Sequence, residues 1–260
     1  MPSNISTLLS SGLFAIAVSG ATCVAAQEIV EQSAEYRYQL DFHVPDAALA
    51  KFLPQGWEPN ISQAGNAKDA NLRLIFIDRL AALDAEDNAI GAGSTQMVYL
   101  AIPVKEETGD ATGQMIIVGL TADTTAVPGP FGVYQHAVTA NMDRSIATID
   151  GKTIVEEDWD FAATTGERLQ MHIKYERAAT RPGGRDTMFF DPNDPTKHLL
   201  FRPNRGIDIG RNVTTNPPDR VQEFSYSAGG GRIAELFDGT ERVLSWDSFP
   251  WYNLEILSPQ

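Results

Sequence analysis

The chain has 260 residues, of which 43% are hydrophobic and 21% are charged. These values are close to the globular average, so they exclude a wholly disordered chain and a multi-span membrane protein. Asp and Glu number 34 against 20 Lys and Arg, which gives a formal net charge of −14. Such a surface repels nucleic-acid phosphates and anionic lipid, so we expect no nucleic acid as a partner.

The first 26 residues contain no charged side chain, and residues 8–26 are almost wholly apolar or small. The small residues Val24, Ala25 and Ala26 precede the polar pair Gln27–Glu28, which is typical of a signal peptidase site. We therefore predict a signal peptide over residues 1–26, and a periplasmic or secreted mature protein without integral membrane association. An uncleaved anchor is the alternative, because the segment has no Lys or Arg.

The one cysteine, Cys23, lies within this segment. Thr22 precedes it and Gly20 lies three positions earlier, an arrangement that disfavours lipid attachment. The mature chain therefore has no thiol for a disulfide, a nucleophile or a metal ligand. His43 and His198 have no partner at metal-ligand spacing, so we expect no metal and no cofactor.

Strand patterns dominate the mature chain. Residues 35–44 alternate aromatic or aliphatic side chains with polar ones, the period of two that is typical of a β-strand. A short helix is predicted from Asp46 to Leu53, where Pro54 follows. Residues 96–104 and 114–122 predict a hairpin. Further strands are predicted at 71–78, 145–149, 153–161, 168–177, 199–202, 221–227, 232–237, 243–246 and 252–257.

Residues 27–260 contain no internal repeat, low-complexity tract or long linker. We therefore predict one domain over this range. Many short strands and little helix predict a mainly β fold with minor α content, built on an antiparallel sheet that is closed or nearly closed.

The order of these elements resembles the acetoacetate decarboxylase-like superfamily. The likeness spans roughly residues 35–175. It is carried by the first strand, by the short helix that ends in the Leu53-Pro54 step, and by Ala101-Ile102-Pro103-Val104 before a glycine-containing loop and an apolar strand. It implies a cone-shaped or barrel-like sheet around a central small-molecule pocket.

The resemblance also implies where the chain departs from the family. Its decarboxylases carry a lysine pair, one member of which forms a Schiff base, where this sequence has Tyr134-Gln135-His136-Ala137. The family's catalytic glutamate falls on Met97 or Gln96. Its substrate-binding arginine falls near Glu35, with Arg37 on the same strand face. The resemblance therefore implies the pocket without the decarboxylase reaction.

His136 is the candidate catalytic residue, as a general base or as a hydrogen-bond partner of a ligand carbonyl; a surface or core histidine is the alternative. His172 and Lys174 share the polar face of their strand, which faces either solvent or a cavity. If it faces a cavity, burial would lower the pKa of Lys174. The candidate ligand-binding residues are Tyr36, Arg37, Met97, Tyr99, Tyr134, Gln135 and His172.

Glu156, Asp158 and Asp160 share one strand face. Such a row of carboxylates is found in cation sites, and it is also found on solvated strand edges that discourage aggregation. We favour the solvated edge.

Two functions from different classes follow from this sequence. The first is an exported binding protein that holds a small carbonyl- or carboxylate-bearing, or aromatic, ligand in a central pocket. The second is a lyase or hydratase that acts on an unsaturated or keto acid, with His136 as acid or base and Arg37 on a carboxylate. We favour the binding protein, because no second catalytic group can be named. A structural partner of another exported protein and a homo-oligomer are left open.

Overall fold

A computed structural model describes residues 27–129, 131 and 133–259, and the predicted signal peptide lies outside them. The chain is mainly β, as the sequence predicts. It has one short α-helix, α1 (Asp46–Leu49), and two 3-10 helices at Ala50–Phe52 and Gly231–Ile233. The strands are β1 (Ile29–His43), β2 (Trp57–Pro59), β3 (Leu72–Asp84), β4 (Thr95–Glu106), β5 (Thr112–Thr121), β6 (Tyr134–Ile149), β7 (Lys152–Ala163), β8 (Arg168–Arg177), β9 (Arg181–Gly183), β10 (Thr187–Phe190), β11 (His198–Asn212), β12 (Val221–Gly229) and β13 (Arg242–Leu257).

Within the described residues, every helix is too short or too polar to cross a membrane.

Seven strands form a closed circuit of hydrogen-bonded pairs. The circuit runs β4, β3, β1, β13, β11, β10 and β5, and β5 pairs again with β4. All pairs are antiparallel except that β5 runs parallel to β10 and to β6. The prediction of a wholly antiparallel sheet is therefore wrong at these two pairs. β6 runs parallel to β5 because the chain that follows β5 folds back and pairs the first residues of β6 with only the last residues of β5. From there β6 continues beyond the end of β5 in the same direction.

Strands β6, β7, β8 and β12 form a second, antiparallel layer. Its inner face packs on one face of the circuit and forms the first core. Tyr38 and Phe76 of the circuit meet Trp159 and Phe161 of the second layer there. The Phe76 and Trp159 ring centroids lie 5.6 Å apart.

A second core lies on the opposite face of the circuit strands. Because successive side chains of a strand point to opposite faces, Ile75 and Ile77 belong to the second core while Leu74 and Phe76 belong to the first. The same alternation puts the polar residues of β1 on the second-core side. These residues are all buried: Glu31, Ser33, Glu35, Arg37, Gln39 and Asp41. The polar half of the β1 pattern therefore faces the interior of the protein rather than water.

Several predicted boundaries are wrong: β6 begins at Tyr134 rather than at 145, β11 extends to Asn212 rather than to 202, and two further differences lie towards the C-terminus. β13 is one continuous strand over Arg242–Leu257, where two separate strands were predicted, because its pairing with β1 and β11 continues across residues 247–251. Residues 232–237 were predicted to be a strand. The chain there forms a 3-10 helix, which begins where Gly230 and Gly231 adopt φ values of 76° and 48°. Residues 234–236 continue as a turn that packs Ile233 and Leu236 into the first core.

Candidate functional site

A cavity of about 700 Å³ opens inside the circuit, and all seven circuit strands contribute to its wall. Its apolar wall includes Ile75, Tyr99, Phe189, Phe201 and Tyr252, which belong to the second core. A recess of this volume, with polar residues grouped around apolar ones, has the size of a small-molecule site. The cavity is therefore the leading candidate site in the described residues.

The charged residues of this wall are mostly cations. Among the described residues, four arginines and one acid line the cavity: Arg37, Arg73, Arg185, Arg205 and Asp186. The protein as a whole has a formal net charge of −14. A recess whose charge is opposite to that of the surface concentrates ions of the complementary sign. The cavity therefore favours a small anionic molecule.

Arg37 is the most firmly held of these cations and is only 3% exposed. Its Nε donates to Glu35, and its Nη1 donates to Tyr99 Oη at 3.1 Å. Its Cζ lies 3.7 Å from the centroid of the Tyr252 ring. These three contacts fix the guanidinium plane. Nη2 is buried and has no hydrogen-bond partner among the described residues, so it retains donors for a ligand.

Behind Arg37 lies a buried ion network centred on Arg79. Arg79 pairs with Glu31 and Glu35 and donates to the backbone carbonyl of Ala126. Burial raises the pKa of Glu35, but Arg37 and Arg79 outweigh burial and hold that pKa below its usual value. Burial raises the pKa of Glu31 to about 7 despite its pairing with Arg79. The network therefore holds Arg37 in place through Glu35.

A second charged cluster surrounds Gln39. Asp41 accepts a hydrogen bond from Gln39 Nε2 at 2.8 Å and lies 3.5 Å from Arg73 Nε. Asp247 on β13 accepts a hydrogen bond from Ser245 Oγ at 2.6 Å. Burial, followed by repulsion from Asp41, raises the pKa of Asp247 to about 7, and burial raises the pKa of Asp41. The two buried carboxylates therefore resist being ionised together.

These shifts predict that the free energy of unfolding falls as the pH rises from about 4 to 8. The pKa values of Glu31 and Asp247 rise to about 7 in the folded protein from 4.5 and 3.8, so the folded state binds more protons over this window. Asp247→Asn removes one of the two acids. It should therefore flatten the slope and melt above the wild type at pH 8.

Thermal unfolding between pH 5 and 8 measures this effect. Asp143→Asn, at an exposed aspartate, makes the same change in net charge and should leave the slope unchanged. Parallel pH profiles for wild type and Asp247→Asn would contradict the assignment.

Of the predicted ligand-binding residues, Arg37 and Tyr99 line the cavity. Tyr134 lies next to them: its ring centroid is 6.5 Å from that of Tyr99, and its buried Oη has no partner among the described residues. Its side chain is not part of the cavity wall. Met97 is fully buried in the second core and lies behind the wall. The binding roles of these residues remain predictions.

Tyr36 and Gln135 lie elsewhere, so their placement in the pocket is wrong. Tyr36 points to the first core, where it donates to Glu157. It cannot share the cavity with Arg37, because adjacent residues of a strand face opposite sides. Gln135 Nε2 donates to Glu167 at 3.3 Å, outside the cavity wall.

Neither predicted histidine reaches the cavity. His136 is exposed, next to Thr121 of β5. The prediction that His136 shares a cavity with Arg37 is therefore wrong. His172 lies on the outer face of the second layer, where its Nδ1 is 2.9 Å from Asp158 Oδ1. It borders a shallow groove there and not the central cavity.

All six lysines lie in the described part of the chain, and none of them belongs to the cavity wall. Lys174 is on the outer face with His172. A hydrogen bond to Glu223 and the charge of Glu156 raise its pKa, and the inward orientation that would have lowered this pKa is not observed.

The acidic face of β7 lies against cationic and polar neighbours on β8. Glu156, Asp158 and Asp160 contact Lys174, His172 and Arg168, respectively. Among the described residues, no group of three His, Cys, Asp or Glu side chains is arranged to hold a metal ion. The arrangement fits the solvated, charge-paired strand face.

Most polar residues of the wall were not among the predicted site residues; those on the circuit strands include Gln39, Arg73, Gln114 and Arg205. The sequence could have indicated Gln39, because this residue lies two positions after Arg37 and therefore on the same face of the strand. Arg73 is opposite Asp41 across the β1–β3 ladder, a pairing that the sequence does not show. Arg205 falls in a stretch without strand alternation, which becomes a strand through its pairing with β13.

The chain matches no family model and no curated protein. Solved structures share its fold. The enduracididine biosynthesis enzyme MppR complexed with pyruvate aligns over 91% of both chains, with a TM-score of 0.54 and 12% identity. MppR complexed with the condensation product of pyruvate and imidazole 4-carboxaldehyde aligns over 95% of both chains, with a TM-score of 0.53 and 11% identity.

An acetoacetate decarboxylase-like enzyme from Sphingomonas wittichii RW1 aligns over 88% of this chain and 91% of its own, with a TM-score of 0.53 and 14% identity. The protein therefore has the fold of acetoacetate decarboxylase-like proteins.

Proposed function

We propose that this protein binds a small organic acid in the central cavity of a barrel-like sheet, through Arg37. The observation that carries the proposal is Nη2 of Arg37, a buried cationic donor at the cavity wall without a partner among the described residues. Glu35, Tyr99 and Tyr252 hold the rest of the guanidinium. A ligand carboxylate that accepts from Nη2 would satisfy this donor with a charge-assisted hydrogen bond.

The fold comparison supports the ligand class. MppR has been solved with pyruvate, a small carboxylic acid that also carries a carbonyl group. The apolar wall residues Ile75 and Phe201 suit the carbon chain of such a molecule. We therefore propose a small carbonyl-bearing carboxylic acid as the ligand.

Titration calorimetry with pyruvate and with its neutral amide tests this function. We expect the amide to bind at least tenfold more weakly, because a hydrogen bond to a charged group contributes about 1.5–3 kcal/mol. Equal affinities, or no binding by any acid in a panel of short carboxylates, would contradict the proposal.

The ligand is held, in this proposal, without a Schiff base. Borohydride treatment in the presence of acetoacetate should trap no adduct, because the cavity wall contains no lysine among the described residues and the pKa of Lys174 is raised. Intact-mass measurement detects an adduct, and a lysine-dependent decarboxylase treated in parallel is the positive control. A stoichiometric adduct on any lysine would refute this point.

The cavity favours binding over the lyase or hydratase alternative. His136, the acid–base group of that alternative, is exposed and outside the cavity. The hydroxyl of Tyr99 accepts a hydrogen bond from Arg37, and burial raises the pKa of Tyr99 to about 12. Tyr99 therefore stays protonated near neutral pH and serves as a hydrogen-bonding group rather than as a base.

We further propose that the protein acts after export, in the periplasm or outside the cell. This rests on the sequence pattern of residues 1–26. The exported protein should begin at Gln27 by intact mass. A retained segment, or acyl chains on Cys23, would contradict export as a soluble protein.

A further inference from the structure

Two further arginines extend the cationic wall beyond Arg37. Arg73 on β3 and Arg205 on β11 both line the cavity. The Cζ atoms of Arg37 and Arg205 lie 3.7 and 5.7 Å from the same Tyr252 ring centroid. The two guanidinium carbons are therefore separated by no more than the sum of these distances, 9.4 Å.

These arginines also have unused hydrogen-bonding capacity. Arg205 Nε and the acceptor Gln114 Oε1 are buried and have no hydrogen-bond partner among the described residues, and Arg73 Nε is ion-paired with Asp41 at 3.5 Å without forming a hydrogen bond. The residues that carry these atoms, together with Arg37, line one cavity. Buried polar atoms are normally paired, so their concentration here marks a site for a polar ligand.

The carboxylates that face Arg73 and Arg205 do not cancel their charge. Both arginines act electrostatically on Asp41 and Asp247. Burial raises the pKa of both aspartates, and their mutual repulsion opposes their ionising together. A positive excess therefore remains next to Arg205, in addition to the charge of Arg37.

We infer that the ligand carries a second acidic group, held by Arg205 with Arg73, so that the cavity selects dicarboxylic over monocarboxylic acids. This inference rests on the proposed role of Arg37 for the first carboxylate. The carboxyl carbons of a four- or five-carbon diacid lie roughly 4–5 Å apart, given C–C bonds of about 1.5 Å. Such a molecule can contact two arginines that are separated by at most 9.4 Å. Ile75 and Phe201 then face its methylene chain.

Titration calorimetry with glutarate and with its monoamide tests the inference, because the two differ by one charge at nearly equal size. We expect the wild type to bind glutarate at least tenfold more tightly. Arg205→Gln should abolish this difference while leaving the affinity for the monoamide unchanged. Arg168→Gln is the control, because Arg168 is an exposed arginine outside the wall that pairs with Asp160 on the second layer, and it should behave as the wild type.

The experiment distinguishes a failure of the second acidic site from a failure of the proposed function. If the wild type binds glutarate and the monoamide equally, the second site is wrong and the role of Arg37 stands. If Arg205→Gln weakens both ligands equally, the two arginines share one carboxylate, which also overturns the inference. If neither ligand nor pyruvate binds, the proposed function itself fails. Should Arg205→Gln not fold, Arg205→Lys keeps the charge but loses the planar fork, and it should lower the preference for glutarate without abolishing it.

Discussion

Arg37→Gln is expected to weaken pyruvate binding by about 10- to 100-fold, the effect of losing a hydrogen bond between charged groups worth about 1.5–3 kcal/mol. The reason is that Arg37 lines the cavity, is 3% exposed and has a buried Nη2 without a partner among the described residues, so the loss of this donor is not compensated by water. Calorimetry on the wild type and the variant measures the change. Arg168→Gln removes an exposed charge outside the wall and should leave the affinity unchanged.

Arg37→Gln also removes one partner of buried Glu35, so the variant needs a check on folding. Glu35→Gln/Arg37→Gln removes both charges of the pair and leaves Arg79 with Glu31. The double variant should lose pyruvate binding as well, while losing less stability than the single variant. Wild-type affinity in either folded variant would contradict the role of Arg37.

Arg79→Met is expected to lower the free energy of unfolding by about 3–5 kcal/mol, the usual cost of removing one partner from a buried ion pair. Arg79 is fully buried and lies between Glu31 and Glu35. Without it, Glu31 has lost its ion-pair partner, and the carbonyl of Ala126 loses a donor. Denaturant unfolding at pH 7 measures the loss.

The loss should be smaller at pH 5 than at pH 8. The pKa of Glu31 is already about 7 beside Arg79, and removing the cation would raise it further. Glu31 would therefore be protonated at pH 5, where it needs no counter-charge. Arg202→Met, at an exposed position, should change stability by no more than about 0.5 kcal/mol. A loss under about 1 kcal/mol for Arg79→Met at pH 8 would show that the network contributes little.

The sequence predicts the fold class because strand alternation is a local property. The alternation over residues 35–44 and the hairpin of β4 and β5 are both observed. Alternation separates the two faces of a strand, but it does not say which face is enclosed. In β1 the polar face lies inside, because the apolar face is covered by the second layer and the strand circuit encloses the other. Arg37 therefore lines the cavity, whereas Tyr36, its neighbour on the other face, lies in the first core.

The remaining differences come from long-range pairing. His136 was expected in the pocket because the resemblance puts the reactive centre there, yet it is exposed at the end of its short parallel pairing with β5. Arg73 and Arg205 come to the cavity from strands 132 positions apart in sequence, through ladders with β1 and β13. No local pattern indicates that such residues meet. The strand order therefore brings the charged residues of the cavity wall together.

A crystal structure of the mature protein soaked with pyruvate tests the central claim most directly. We predict the pyruvate carboxylate in the central cavity, with an oxygen about 2.7–2.9 Å from Arg37 Nη2, the distance of a charge-assisted hydrogen bond. Pyruvate in the groove beside His172 with the central cavity free of it, or pyruvate joined covalently to a lysine, would contradict the claim.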